Sequence, residues 1–555
     1  TVTGTYNIAI GRDALKSGVA ANRNIVLGYQ ALQSNGGHND CLAIGIGSLK
    51  NSTSGVNLAV GNYALQSSTS GAYNVGIGYQ SLYGNNSGYY NVGLGYRAGY
   101  GNNTGSGNVN IGYQAGADGN NTTGGNVHVG YHAGKARTSR WGVFVGWAAG
   151  ENATSGDNQV GVGFNALNDC TAGTQNTAVG SNSLSKITTN SGNTALGFAS
   201  LQTATTAVSN VALGSEAMSY HTSASNCVAV GYRSQWSAAT GSANTSVGTN
   251  SLAQTTGNSN TGMGYFTMLN NTSGQQNVAI GAGSLQSNTT GNYHTALGYQ
   301  ALYSNTDSIY NVGLGYKALY GTTTGDSNIG IGGLALDANQ GGHGNIAIGQ
   351  NAAGAKTQGG YIVAIGYDAL KTVQNSSNTV AIGYNAMKNA TNGGSLAVGA
   401  GALENQTGGY WNTAVGNNAL KSIGNSSHCT AYGYRALESL TSSFNDAFGW
   451  QAGFQLVNGT NNVCLGQGAA YSLASGIENV IIGNNAGSSQ LTTGGKNIAI
   501  GREAHKNVNG SNNVGIGYQA LYGTAGTAQS AHSNVGIGYR ALKDVQSAQK
   551  NVALG

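Results

Sequence analysis

NVAIGAGSLQSNTTGNYHTALGYQALYSN, residues 277–305, states one phrase twice. Asn277-Val278-Ala279-Ile280-Gly281 returns as His294-Thr295-Ala296-Leu297-Gly298, and Ser284-Leu285 returns as Ala301-Leu302. The glycine that closes the phrase recurs 33 times between Gly11 and Gly555, 544 residues over 32 intervals, a mean spacing of 17. One interval, Gly517 to Gly538, is longer, and its extra residues fall in 522–533. A fixed period of this length marks a repeat architecture and overrides any domain count based on chain length.

Counting from that glycine, the residues one and three before it are almost always aliphatic or Thr, and the one between them is mostly Ala or Gly. Such alternation is the pattern of a short β-strand with two unlike faces. The larger side chains predict the core, here Val278, Ile280 and Leu297, joined by Leu285 and Leu302 from the second half of the phrase, and leave the Ala/Gly face nearly bare. The segment after the glycine, x-x-[Ala/Ser/Thr]-Leu, reads as a second short strand or a tight helical turn. The Asn/Ser/Thr/Gly-rich remainder reads as a loop.

Seventeen residues cannot bury a core alone but can form one coil of a solenoid. The predicted fold is all-β, a parallel β-solenoid or β-roll of about 33 stacked coils, with 1–555 as one continuous repeat. At about 4.8 Å per coil the stack is roughly 155 Å long. The absence of proline fits, because every coil must donate backbone N–H groups to its neighbour. A coil this thin gains by packing its bare face against another chain, which predicts a homo-oligomer.

Two polar or aromatic columns follow from the period. Asparagine stands four before the glycine in 24 of 33 copies, including Asn277, Asn311, Asn345, Asn412 and Asn551, and stacked amides can form a hydrogen-bonded ladder. An aromatic follows the glycine in 18 of 32 continuing copies, among them Tyr79, Tyr96, Tyr113, Tyr131 and Trp147. At coil spacing these are candidate stacking or ligand-contact aromatics. Stacking is the stronger reading, since large aromatics usually serve packing.

Composition narrows the function. Glycine supplies 94 of 555 residues, about 17% against roughly 7% in ordinary proteins, and charged residues only 7%. A net charge of +5 spread over this length is too dilute for a nucleic-acid partner. No apolar run is long enough for a membrane helix, and the opening residues lack signal-peptide character. The chain opens almost inside a repeat, so a fragment of a longer fibre is expected. Five scattered cysteines indicate neither a disulfide framework nor a zinc site, and Cys41, Cys227 and Cys429 occupy the asparagine position.

The phrase in Asn412-Thr413-Ala414-Val415-Gly416 and Asn497-Ile498-Ala499-Ile500-Gly501 resembles the head repeat of YadA-type trimeric autotransporter adhesins. The longer G-Y-x-A-L form, as in Gly298 to Asn305, is similar to repeats of phage tail fibres. The resemblance covers essentially the whole chain. It implies a left-handed β-roll, a homotrimer and surface attachment. The period is longer than that of the adhesin head repeat.

Catalytic patterns are weak. Gly515 to Ala520 and Gly313 to Ala318 fit G-x-G-x-x-G/A, but they recur with the repeat and read as structural corners. His128 and His132 have helical spacing on a strand-like segment, so no metal site is read from them. Glu151 and Asp169 are the best carboxylate pair for glycan cleavage, with neighbouring solvated acids as the plainer reading. The expected function is a non-enzymatic, cofactor-free fibre segment of an extracellular attachment appendage, virion or adhesin-like. Its partners are further copies of itself and a surface glycan or host receptor. The alternatives are an extracellular filament or matrix protein and a glycan-active tailspike.

Overall fold

The computed structural model describes residues 3–17, 20–119, 122–237, 240–489, 492–524, 529–545, 547 and 549–555. It contains two compact units, Thr1–Gln276 and Asn277–Gly555. Each is a parallel β-solenoid. Among the described residues the first unit carries sixteen short strands, from Ile8–Ile10 to Thr261–Met263, and the second carries seventeen of the same kind, from Val278–Ile280 to Val552–Leu554. Successive strands within a unit pair in parallel and in register, one coil apart. Val278, Ala279 and Ile280 lie against Thr295, Ala296 and Leu297, which lie in turn against Val312, Gly313 and Leu314. The longer interval adds a separate pair, Val508–Asn509 with Gln529–Ser530. Residues 525–528 of the predicted 522–533 stretch lie outside the described residues.

The segment after the glycine is neither strand nor helix. It is a turn in which left-handed residues recur, as at Gln300 (φ 52°) and Leu302 (φ 53°). A left-handed leucine costs about 1–2 kcal/mol. What it gains is direction. Gln300 N–H reaches back to the Ala282 carbonyl at 3.0 Å, and Leu302 N–H reaches forward to the Ala318 carbonyl at 3.0 Å. The turn is thereby bonded to the coils on both sides without forming a strand.

The faces of the strand are the reverse of the sequence expectation. Ala279 and Ala296 are fully buried, whereas Val278, Ile280 and Leu297 are 38%, 36% and 47% exposed. Leu285 and Leu302 are buried as expected. The reason is volume. The space beneath the inward strand position holds about one large side chain, and the turn leucine takes it. A Cβ built on Gly76 would lie 3.2 Å from the Leu65 side chain, so the inward strand position must stay small.

Exceptions obey the same limit. Where the inward strand residue is large, as at His128, Phe144 and Ile481, the leucine position of the same coil is glycine, namely Gly134, Gly150 and Gly487. Side chains added at Gly134 and Gly150 would collide with His128 and Phe144.

The closing glycine is fixed by conformation and by contact. Gly349 has φ 131°, outside the range of other residues, and a Cβ there would stand 2.5 Å from the Gly366 carbonyl oxygen of the next coil. Gly349→Ala is expected to destabilise the second unit by at least about 1–3 kcal/mol, and Gly333→Ala, with nothing within 4 Å of the new methyl, to leave it unchanged. Equilibrium denaturation of both variants checks the pair, and equal stabilities would contradict the corner geometry.

Candidate functional site

The asparagine column is a buried ladder. Asn345 donates from Nδ2 to Asn328 Oδ1 at 2.9 Å, and the same oxygen accepts the Asn345 N–H at 3.0 Å. Asn277, Asn311 and Asn412 each also donate Nδ2 to a loop carbonyl, those of Gly291, Gly325 and Ser426, at 2.7–2.9 Å. The longest run within the second unit passes from Asn445 through Asn462, Asn479, Asn497, Asn513 and Asn534 to the exposed last rung, Asn551. Each amide thus satisfies a strand-start N–H that would otherwise be buried without an acceptor.

Substituents copy this chemistry. Cys41, Cys227 and Cys429 each donate their backbone N–H to the Oδ1 of the preceding asparagine, Asn24, Asn210 and Asn412, at 2.9–3.0 Å and are buried. Cys227 and Cys429 direct Sγ at the Gly241 and Ser442 carbonyls at 3.3 and 3.4 Å. His294 accepts the Asn311 N–H on Nδ1 and donates from Nε2 to the Ser308 carbonyl at 2.8 Å, which requires the neutral ring. Sequence spacing located the column, but it did not show that the second partner is the loop fourteen residues on.

Asn479→Ala would strand the Asn497 N–H and the Gly494 carbonyl, both bonded to Asn479 at 2.9–3.0 Å. A cost of about 1–3 kcal/mol for each uncompensated group is expected, with a smaller cost for Asn479→Cys. Denaturation, together with hydrogen exchange at Asn497, checks this.

Four histidines are buried and held neutral. Burial pushes His128 down to about 3 and His221, His294 and His505 down to about 4, from an ordinary value of 6.5. The unfolded chain takes up these protons near pH 6.5 and the folded chain does not. Stability is therefore full above that pH and is lost as the pH falls toward about 4. Between pH 7.5 and 4.5 the His294→Asn variant is expected to lose about 2–3 kcal/mol less than the parent, measured by unfolding at the two pH values.

The predicted aromatic column stacks. Tyr79, Tyr96, Tyr113, Tyr131 and Trp147 follow one another at centroid separations of 5.4, 4.9, 5.2 and 4.1 Å, with interplanar angles of 16° or less. Ring faces therefore cover each other along the coil axis, and only edges and hydroxyls reach solvent. A sugar-stacking platform needs free faces, which an in-register stack offers only at its ends. Sequence reasoning missed two further columns. Tyr73–Tyr90 and Tyr293–Tyr310 stack beside the asparagine ladder, and Tyr83–Tyr100 and Tyr303–Tyr320 stack past the turn leucine. The signal was aromatic identity at a fixed offset other than the one after the glycine.

The carboxylate candidates are engaged separately. Glu151 accepts from His132 Nδ1 at 2.7 Å, and Asp169 pairs with Lys186 at 2.9 Å and with Asn152 at 3.2 Å. His128 points into the coil, against Asn110 Oδ1 at 2.8 Å, while His132 stacks on Tyr131, so the two histidines do not converge. Among the described residues no group of three or more His, Cys, Asp or Glu could hold a metal ion, and no helix is long and apolar enough to cross a membrane. The G-x-G-x-x-A matches at Gly313 and Gly515 begin inside strands and run into the stacked turn, with no helix to receive a phosphate.

The outward aliphatic residues form an extended surface along each unit. The pairs exposed beside the small inward residue repeat in coil after coil, and in the first unit they border an apolar groove of about 340 Å³ lined by Leu42, Val56, Leu58, Tyr73 and Val75 with Asp40 and the ladder asparagines. Comparison with protein-family models and with curated proteins gives no match for this chain.

Proposed function

We propose that the chain is a non-catalytic segment of an extracellular surface-attachment fibre, virion or adhesin-like, working as a left-handed homotrimer as the repeat resemblance implies. The observation that carries this reading is the outward aliphatic face. Isolated apolar residues on a surface need no explanation, but a column one to two aliphatic residues wide that recurs in most coils does. Burying the exposed part of one such side chain is worth about 1 kcal/mol. Across sixteen coils the sum exceeds the roughly 4–15 kcal/mol cost of association. A further copy of the same chain has the same repeat and therefore the same column, so it fits in register. The chain–chain contact is thus assigned to the Val/Ile/Leu face, in place of the Ala/Gly face that the sequence suggested.

The shallow relief and the separate engagement of Glu151 and Asp169 favour a binding scaffold over a glycan-cleaving tailspike. Mass measurement of the intact assembly by sedimentation is expected to give three chains. The double variant Ile280→Asp, Leu297→Asp should keep the β circular-dichroism spectrum and shift the mass toward one chain. A parent protein that sediments as a folded monomer would refute the proposal.

A further inference from the structure

Past the turn leucine, a second groove runs across four coils of the first unit. Its volume is about 580 Å³, its floor is Asn51, Ser67, Gly84 and Gly101, and its walls are the Tyr83–Tyr100 stack on one side and Thr69, Asn86 and Asn103 on the other. Every residue lining it is uncharged. The backbone here is already committed between coils. Thr69 and Asn86 N–H bond the Asn86 and Asn103 carbonyls at 2.8 Å, and Gly84 and Gly101 N–H bond the Tyr100 and Ala117 carbonyls at 2.8–2.9 Å. No strand edge is offered to a peptide. The Thr69 hydroxyl donates to Asn86 Oδ1, and what remains is the Ser67 and tyrosine hydroxyls with the Asn51, Asn86 and Asn103 side-chain amides, a set that both donates and accepts.

The wall is held in place from behind. The Arg97 guanidinium lies 4.6 Å from the Tyr100 centroid and is fixed by a 2.9 Å bond to Gln80. The same constellation recurs in the second unit. Tyr303 and Tyr320 stack at 5.1 Å, Lys317 lies 5.0 Å from the Tyr320 centroid, Ser287 and Ser304 precede Gly321 at the floor positions, and Thr289, Thr306 and Thr323 hold the wall positions. A cation, a tyrosine pair, small floor residues and a hydroxyl or amide wall thus appear together twice, at equivalent coil positions.

We propose that this groove, and the equivalent positions of the second unit, bind a neutral, extended polysaccharide strand lying along the stacking axis. The groove advances one coil at a time, and the 5.1 Å separation of Tyr83 and Tyr100 is close to the length of one sugar in an extended chain. A strand in this direction meets a hydroxyl or amide side chain from each coil it crosses. The lack of lining cations argues against an anionic glycan. Because the tyrosine faces are stacked away, recognition proceeds through ring edges, phenol hydroxyls, threonine hydroxyls and amides. A wall already ordered in the free protein lowers the entropic cost of binding. The inference deepens the attachment reading and rests on it, by naming the class of surface that is held.

The test is calorimetric titration of the intact assembled protein with neutral β-1,4-glucan, α-1,4-glucan and β-1,4-mannan oligosaccharides of two to six sugars, and with a uronic-acid hexamer as the anionic probe. At least one neutral series should bind, with affinity rising until about four sugars, the number of coils spanned. Blocking the groove and the equivalent positions of the second unit with Ser67→Trp and Ser304→Trp should weaken it at least tenfold. If that variant is misfolded, Asn51→Ala with Asn103→Ala in a Ser304→Trp background trims groups that hold no other side-chain bond, and a threefold or greater loss is expected. Absence of neutral binding at millimolar sugar, equal or stronger binding of the uronate, or parent-like affinity in the groove variants would each overturn the proposal. A trimeric rod that ignores every sugar sinks the groove assignment alone, whereas a folded monomer sinks the fibre reading.

Discussion

The space that the inward strand residue shares with the turn leucine has room for about one large side chain, and much of the structure follows from that narrowness. The turn leucine fills the space, so the inward strand residue is Ala or Gly, and where it is Phe144 or His128 the leucine gives way to Gly150 or Gly134. Three backbone segments must then close around a thin core, and their buried amides need partners at short range. The asparagine ladder and the alternating turn supply them, with bonds of about 2.7–3.2 Å that run along the axis in both directions. The corner glycine is the third consequence, since nothing larger fits between one coil and the carbonyl of the next.

Narrowness also sets what faces outward. Large β-branched residues suit strands, but the inward strand position rarely holds them, and in most coils they line the outside. A surface of that kind is a liability in isolation and a contact in an assembly. The chain therefore divides its exterior by chemistry, with an aliphatic strand face on one side and, in the first unit, a neutral hydroxyl and amide groove on the turn side.

Buried ionisable groups fit the same frame. Arg137 and Lys356 sit inside the coil and satisfy loop carbonyls, as an asparagine amide does elsewhere, with burial lowering Lys356 to about 8. His294 replaces a ladder asparagine by acting as both acceptor and donor. These substitutions keep the hydrogen-bond geometry and add a pH sensitivity that an all-asparagine column lacks.

The sequence alone determined the period, the parallel stack, the glycine corner, the asparagine column and the buried Leu285 and Leu302, because each depends on contact with the equivalent residue one coil away, and equivalence is visible as repetition. The orientation of the strand was not legible in the same way. Alternation at Val278, Ala279 and Ile280 shows that two faces differ, but not which is inside, and the usual preference for large apolar residues in a core gave the wrong answer. The reciprocal exchange between Phe144 and Gly150 was the available clue, and it acquires meaning only once the two positions are known to share one space. The groove is likewise a product of tertiary structure, since its floor and walls come from four coils and no single repeat contains it.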